Sequence, residues 1–170
     1  MTDLYFCPTE QRERYLHALF VRYTGRDFEI EREWGGKPYI PGDPLHFSLA
    51  HSGALCAIAI SQTNIGVDTE ILQRKHYKNI LERLPAAERA EIESERDFFT
   101  HWTVREAYAK YAGTGIWQEF ARLEYIGGKL YKDGIKLPEE PKLCFAHGAV
   151  TAIYSHDASF EVKTLQDFTL

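Results

Sequence analysis

Apolar positions recur every three or four residues through 9–24, where Tyr15, Leu16, Leu19, Phe20 and Tyr23 fall on one stripe. That spacing predicts a helix, opened by Thr9 and stopped at Gly25. Beyond it the period drops to two. Residues 28–34 alternate like a strand, Gly35 and Gly36 turn the chain, and 37–40 is extended because Lys37 precedes Pro38. Residues 45–50 and 55–61 read as strands joined through His51, Ser52 and Gly53, and 62–64 turn the chain into a third strand at 65–70. The middle changes character. Residues 85–95 are acidic and alanine-rich and predict a helix with Pro85 in its first turn. Residues 97–112 predict a longer helix, stopped by Gly113 and Gly115. Strands return at 123–126, 129–131, 142–146, 150–154 and 160–164, with Gly127-Gly128 and Asp133-Gly134 as hairpin turns. Strands, then helices, then strands predict an α+β fold.

Composition narrows the class. A chain of 170 residues, 44% hydrophobic and 26% charged, is one globular domain or two small lobes sharing a core. A net charge of −5 gives no global attraction to nucleic acid or to an anionic membrane, so any anion site must be local. The longest apolar run, 54–60, is too short to cross a bilayer. The N-terminus has no basic region followed by an apolar stretch, which points to a soluble, cytoplasmic protein. Cys7, Cys56 and Cys144 form no C-x-x-C pair and read as ordinary buried thiols.

Three segments carry candidate chemistry. In a strand at 65–70, Asp68 and Glu70 project to one face and repel each other unless a cation lies between them. Their hard oxygens suit magnesium, although a bare D-x-E is also an ordinary solvated strand end. On a helix at 97–112, Trp102, Glu106 and Lys110 step by four and form one line. Glu106 and Lys110 are a surface ion pair, or a metal ligand and a phosphate ligand if an anion binds beside them. In 35–53, Lys37 before Pro38 sits on a stiff extended platform for a phosphate or a purine. His51, Ser52 and Gly53 offer an imidazole, a hydroxyl and freely oriented amides, the makings of an anion nest. His51 taken alone is as readily a packed or surface histidine.

G-K-P at 36–38 with F-S-L-A-H-S at 47–52, I-G-V-D-T-E at 65–70 and W-T-V-R-E-A-Y-A-K-Y-A-G-T-G at 102–115 together resemble the three signature motifs of the 4′-phosphopantetheinyl transferase superfamily. The surfactin-synthetase-activating type is the most similar. The resemblance implies two similar α+β lobes related by a pseudo-twofold axis, with the first lobe reduced: 1–64 carrying a coenzyme A segment, and 65–170 carrying a magnesium site. It implies Asp68, Glu70 and Glu106 as magnesium ligands, and Lys110 and His51 as catalytic contacts to coenzyme A phosphate. Lys37, Pro38, Ser52 and Arg105 would complete the coenzyme site, Arg105 standing where the family usually has lysine. Ser48 and Ala50 stand where the first motif usually has asparagine and serine. The region before Gly35 is shorter than in the surfactin type, and Arg12, Arg14 and Arg22 are the candidates there for its basic residues, none of which the sequence assigns.

The implied reaction moves phosphopantetheine from coenzyme A to a serine of an apo acyl or peptidyl carrier protein and releases 3′,5′-ADP, with Glu106 or a water taking the serine proton. Arg74, Lys75, His76 and Lys78 offer a local basic surface for an acidic carrier, or a solvated loop. A non-catalytic coenzyme A- or carrier-binding relative and a metal-dependent phosphohydrolase are the competing readings. The chain is expected as a monomer or, if trimming the first lobe opens a sheet edge, a homodimer.

Overall fold

The structure is a computed structural model and describes residues 1–32, 36–72 and 77–164. Glu33, Trp34 and Gly35, which close the predicted strand at 28–34 and open the turn after it, lie outside the described residues, as do Arg74, Lys75 and His76 of the basic surface.

Two sheets carry the architecture. The first has the order β12 (Phe160–Lys163), β1 (Thr2–Pro8), β5 (Leu55–Ser61) and β4 (His46–Ser52). The second has the order β10 (Lys142–Ala146), β11 (Ala149–Ser155) and β6 (Ile65–Ile71), all antiparallel. Alternation along the strands gives each sheet two distinct faces. On one face of the first, Tyr5, Cys7, Cys56, Ile58 and Ile60 pack under Leu16, Leu19 and Phe20 of α1 (Arg12–Thr24). On its other face Leu4, Ala57 and Ala59 meet Ile65, Val67 and Ile153 of the second sheet. The small alanines let the two sheets approach closely. The far face of the second sheet is covered by α4 (Glu95–Ala112), whose Val104, Ala107 and Tyr108 pack on Ala152 and Tyr154.

The mixed α+β class is borne out, and most predicted elements are present. Three differ. β1 is a strand that Pro8 and the polar Thr2 and Asp3 disguise; it lies between β5 and β12, and β12 joins it in parallel. Because 160–163 return to the first sheet, a division at residue 64 does not follow the sheets. The acidic segment 85–95 gives only one helical turn, α3 (Ala86–Arg89), preceded by the short α2 (Lys78–Leu81). Of the described residues in 28–34, only Glu31–Arg32 is strand (β2), paired with Pro38–Tyr39 (β3). A third small sheet of β7 (Leu123–Ile126), β8 (Lys129–Lys132) and β9 (Ile135–Lys136) flanks α4, and α5 (Ile116–Glu119) follows it. α4 starts two residues before the predicted 97 because Ser94 and Asp97 close a reciprocal capping box. Among the described residues no helix is long and apolar enough to cross a membrane.

Candidate active site

β4 and β6 are the edges at which the two sheets adjoin, and two serines stitch them. Ser48 Oγ accepts the Val67 N–H at 3.0 Å, and Ser52 Oγ accepts the Ile71 N–H at 3.1 Å. Asp68 accepts the intervening Thr69 N–H, so alternate amides along β6 are satisfied by side chains. Ser52 also donates to Glu70 Oε2 at 2.7 Å. The structure gives it a different role from the expected one: the one proton of the Ser52 hydroxyl is spent on Glu70, leaving none to donate to a phosphate, and it acts by orienting Glu70. The same edge accounts for Ser48 at its motif position, since it ties β4 to β6.

Asp68 and Glu70 lie on the face of β6 that meets α4, together with Gly66. A Cβ built on Gly66 would sit 2.0 Å from the Ala107 carbonyl oxygen and 2.4 Å from the Tyr111 nitrogen. Only glycine lets the helix come this close. The close approach brings Lys110 Nζ to 2.7 Å from Asp68 Oδ1. At the end of α4, Gly113 adopts φ 70°, a left-handed cap that turns the chain back along the cavity wall.

A cavity of about 320 Å³ opens where the edges meet, and its wall includes Lys37, Pro38, His51, Glu106 and Lys110. Five of the residues expected at the site, from two of the three candidate segments, thus share one cavity. Arg12 and Arg32 line it as well. Arg12 settles which upstream arginine reaches the site: it opens α1 immediately after β1, a position that could not be read without β1. Arg32, on a two-residue strand, left no periodic signal. The chain is acidic overall, yet this wall carries four Lys and Arg cations and His51 against Glu106, the local anion-binding character that the net charge demanded. Lys37 is steadied by Asn64 and by the Tyr111 carbonyl at 3.3 Å.

The acids are strained electrostatically. Burial raises Asp68 above the usual carboxylate range, Lys110 opposes the rise, and Glu70 adds to it. Burial, then the Asp68 charge, push Glu106 up to about 7; Lys110 again opposes and Glu70 again adds. The three carboxylates therefore sense one another. Asp68 Oδ2 is buried and has no hydrogen-bond partner. Among the described residues no three His, Cys, Asp or Glu side chains form a ready-made metal cage. What is present is a set of hard oxygen donors, opposed in part by Lys110, and one orphaned, buried oxygen, which fits a small divalent cation.

Arg105 is not where it was expected. It is fully buried, donates through Nε and Nη2 to the Glu88 carboxylate, and gives Nη1 to the Phe120 carbonyl at 2.7 Å. Glu88 also contacts His101 Nδ1 at 3.0 Å and accepts the Tyr125 N–H. Burial alone would raise Glu88, but His101 and Arg105 hold it below its ordinary value. Arg105 therefore pins α4 to α3 and the third sheet, and is removed from the coenzyme contacts. One turn separates Arg105 from His101 on α4, and Glu88 was hidden in a segment read only as an acidic, alanine-rich helix.

Residues 64–152 match the 4'-phosphopantetheinyl transferase superfamily. The chain is 34% identical over 93 residues to the 4'-phosphopantetheinyl transferase AcpT of Salmonella typhi, covering 49% of this chain and 48% of that protein. It is 29% identical over 144 residues to the 4'-phosphopantetheinyl transferase psf-1 of Bacillus pumilus, covering 78% and 58%. With HetI of Nostoc sp., also named a 4'-phosphopantetheinyl transferase, it shares 31% over 146 residues, covering 69% and 57%. The chain spans about half the length of the curated relatives it matches. A matched region that holds β6, α4 and the start of β11, and with them all three acids and Lys110, carries the assignment: the chain belongs to the 4'-phosphopantetheinyl transferase superfamily.

Proposed function

We propose that this chain transfers the 4′-phosphopantetheine group of coenzyme A to a serine of an apo acyl or peptidyl carrier protein and releases 3′,5′-ADP. The observation that carries this reading is one cavity with a cationic wall and, at its Glu106 side, three mutually coupled acids. Cations suit the phosphates of the nucleotide. Coupled acids suit a divalent ion that the diphosphate also needs.

Asp68, Glu70 and Glu106 would hold magnesium, with Asp68 Oδ2 as the oxygen left waiting. The bound ion would neutralise charge on the diphosphate oxygens. The chain's own groups do the rest. Lys110 spends one of its three N–H donors on Asp68, leaving two for a phosphate oxygen. His51 and Arg12 present donors to the same cavity, and Lys37 with Pro38 offers the rigid surface for the nucleotide. Ser52 keeps Glu70 from swinging away from its neighbours. The carrier approaches from solvent; exposed Lys78 is the described part of the basic surface that would receive it.

In this reading the two helix-covered sheets are the two lobes, the first built from 1–64 and closed by strand 160–163. Its edges are β4, stitched to β6, and the four-residue β12, so the monomer is favoured over an edge-paired homodimer; light scattering tests this. The transferase reading is tested by chromatographic assay of 3′,5′-ADP from coenzyme A and magnesium, with and without apo-carrier. Release that requires the carrier supports it. Release without carrier would establish the phosphohydrolase, and tight coenzyme binding with no release would establish a non-catalytic relative.

A further inference from the structure

Two of the three cysteines, 49 positions apart in sequence, are set directly opposite each other by the pairing of β1 with β5: Cys7 faces Cys56. Both point to the α1 side of the sheet and both are buried in the same apolar cluster. Directly opposed residues in an antiparallel pair have Cα atoms about 4.5–5.5 Å apart, inside the range of about 4.4–6.8 Å that a disulfide bridges. The Thr9 N–H donates to the Ala54 carbonyl at 2.9 Å, which puts Cys7 and Cys56, one alternation away, at a hydrogen-bonded pair. At such pairs the Cβ atoms stand farther apart than a relaxed disulfide prefers, so a bond there is strained and easily reduced.

The two thiols are chemically unequal. Cys56 lines the cavity beside Arg12 and Lys110, whereas Cys7 lies behind it. Contact with Cys56, and then burial, drive Cys7 well above the usual thiol range. The same contact lowers Cys56; burial opposes this, while Arg12 and Lys110 favour its thiolate. The pair therefore has one member in the cavity wall, itself fully buried, whose thiolate the neighbouring cations favour, and a protonated partner in reach.

We propose that Cys7 and Cys56 form a peroxide-sensitive dithiol that closes reversibly to a disulfide in the wall of the cavity. Hydrogen peroxide, admitted to the buried Cys56 when the cavity wall opens by local fluctuation, is the oxidant. The Cys56 thiolate attacks one peroxide oxygen and breaks the O–O bond, giving a sulfenic acid and hydroxide. Cys7 then attacks Cys56 Sγ, its proton leaves with the departing oxygen as water, and the S–S bond forms. Two thiols and one peroxide become one disulfide and two waters. An external dithiol reverses the change. The inference does not depend on what the cavity binds.

The test uses the intact wild-type chain, graded hydrogen peroxide and no nucleotide, with Cys144 on β10 as the internal reference thiol. The expected result is a loss of about 2 Da, a peptide linking Cys7 to Cys56, and full recovery with dithiothreitol, all before Cys144 is half modified. In the Cys7→Ser variant, checked for folding by circular dichroism, Cys56 should instead be captured by dimedone as its sulfenic acid. If Cys144 reacts first while Cys7 and Cys56 stay reduced, or if the pair oxidises only in denaturant, the proposal is overturned.

Discussion

The Gly66→Ala substitution adds one methyl group where α4 crosses β6. The new carbon would lie 2.0 Å from the Ala107 carbonyl oxygen, 2.4 Å from the Tyr111 nitrogen and 3.0 Å from the Tyr111 Cα. All three are backbone atoms of a helix, so no side chain can rotate away. Restoring even a tight 3.0 Å contact requires α4 to retreat by about 1 Å. Alanine in place of glycine stiffens the unfolded chain and by itself would stabilise by roughly 0.4–1 kcal/mol. Overpacking a closed core costs about 1–3 kcal/mol or more, and here the clash is with rigid backbone, so the upper end wins. A net loss of about 2–3 kcal/mol lowers Tm by roughly 4–12 °C for a chain of this size. The same retreat stretches the 2.7 Å Lys110–Asp68 contact beyond hydrogen-bonding distance, so turnover should fall with stability. Urea unfolding followed by circular dichroism measures the first effect, and carrier modification well below the unfolding midpoint measures the second. A variant within about 0.5 kcal/mol of wild type and fully active would refute the close approach as the device that builds the site.

Arg105→Ala should cost about 3–5 kcal/mol because it strands the buried Glu88 carboxylate, whereas folded Arg105→Lys should lose stability yet keep its KM for coenzyme A. A raised KM with unchanged unfolding midpoint would return Arg105 to the coenzyme site. Glu88, held below 4.5 when folded, contributes stability that is present above its unfolded value and lost as pH falls through the folded one. An acid-unfolding midpoint that moves upward in His101→Ala checks this, since His101 helps to hold Glu88 ionised. Glu106 has the opposite sign: its folded value of about 7 lies above the unfolded 4.5, so its contribution is fully present below 4.5 and lost as pH rises towards 7. Glu106→Gln should therefore abolish transfer while gaining about 1–3 kcal/mol at pH 8, discounted for its partial exposure; urea melts of the metal-free proteins read the gain. Lys78→Glu should raise KM for carrier more than for coenzyme A, and equal effects on both would remove α2 from the docking surface.

Local pattern made much of this legible. The helix stripe at 9–24, the hairpin turns and the Trp102–Glu106–Lys110 line all follow from periodicity, and the structure keeps them. So does the shared face of Asp68 and Glu70, because a strand's alternation fixes it. The misreadings came from pairings between remote segments. Nothing near Arg105 announces that Glu88 will neutralise it, so a buried structural arginine looked like a phosphate ligand. Ser52 beside His51 looked like part of a nest, but its partners are on β6. Gly66 sat inside a recognised motif, yet its reason is the Ala107 carbonyl, 41 positions away. β1 was hidden because a strand covered on both faces lacks clean alternation.

The account rests on the three acids and the cationic cavity acting together in group transfer. Intact-mass analysis of apo acyl and peptidyl carrier proteins, incubated with coenzyme A, magnesium and either wild-type chain or Glu106→Gln, tests this most directly. The account predicts that wild type adds one phosphopantetheine to the carrier serine and that the folded variant adds none. Equal modification by both, or an unmodified carrier with the folded wild-type chain, would contradict it.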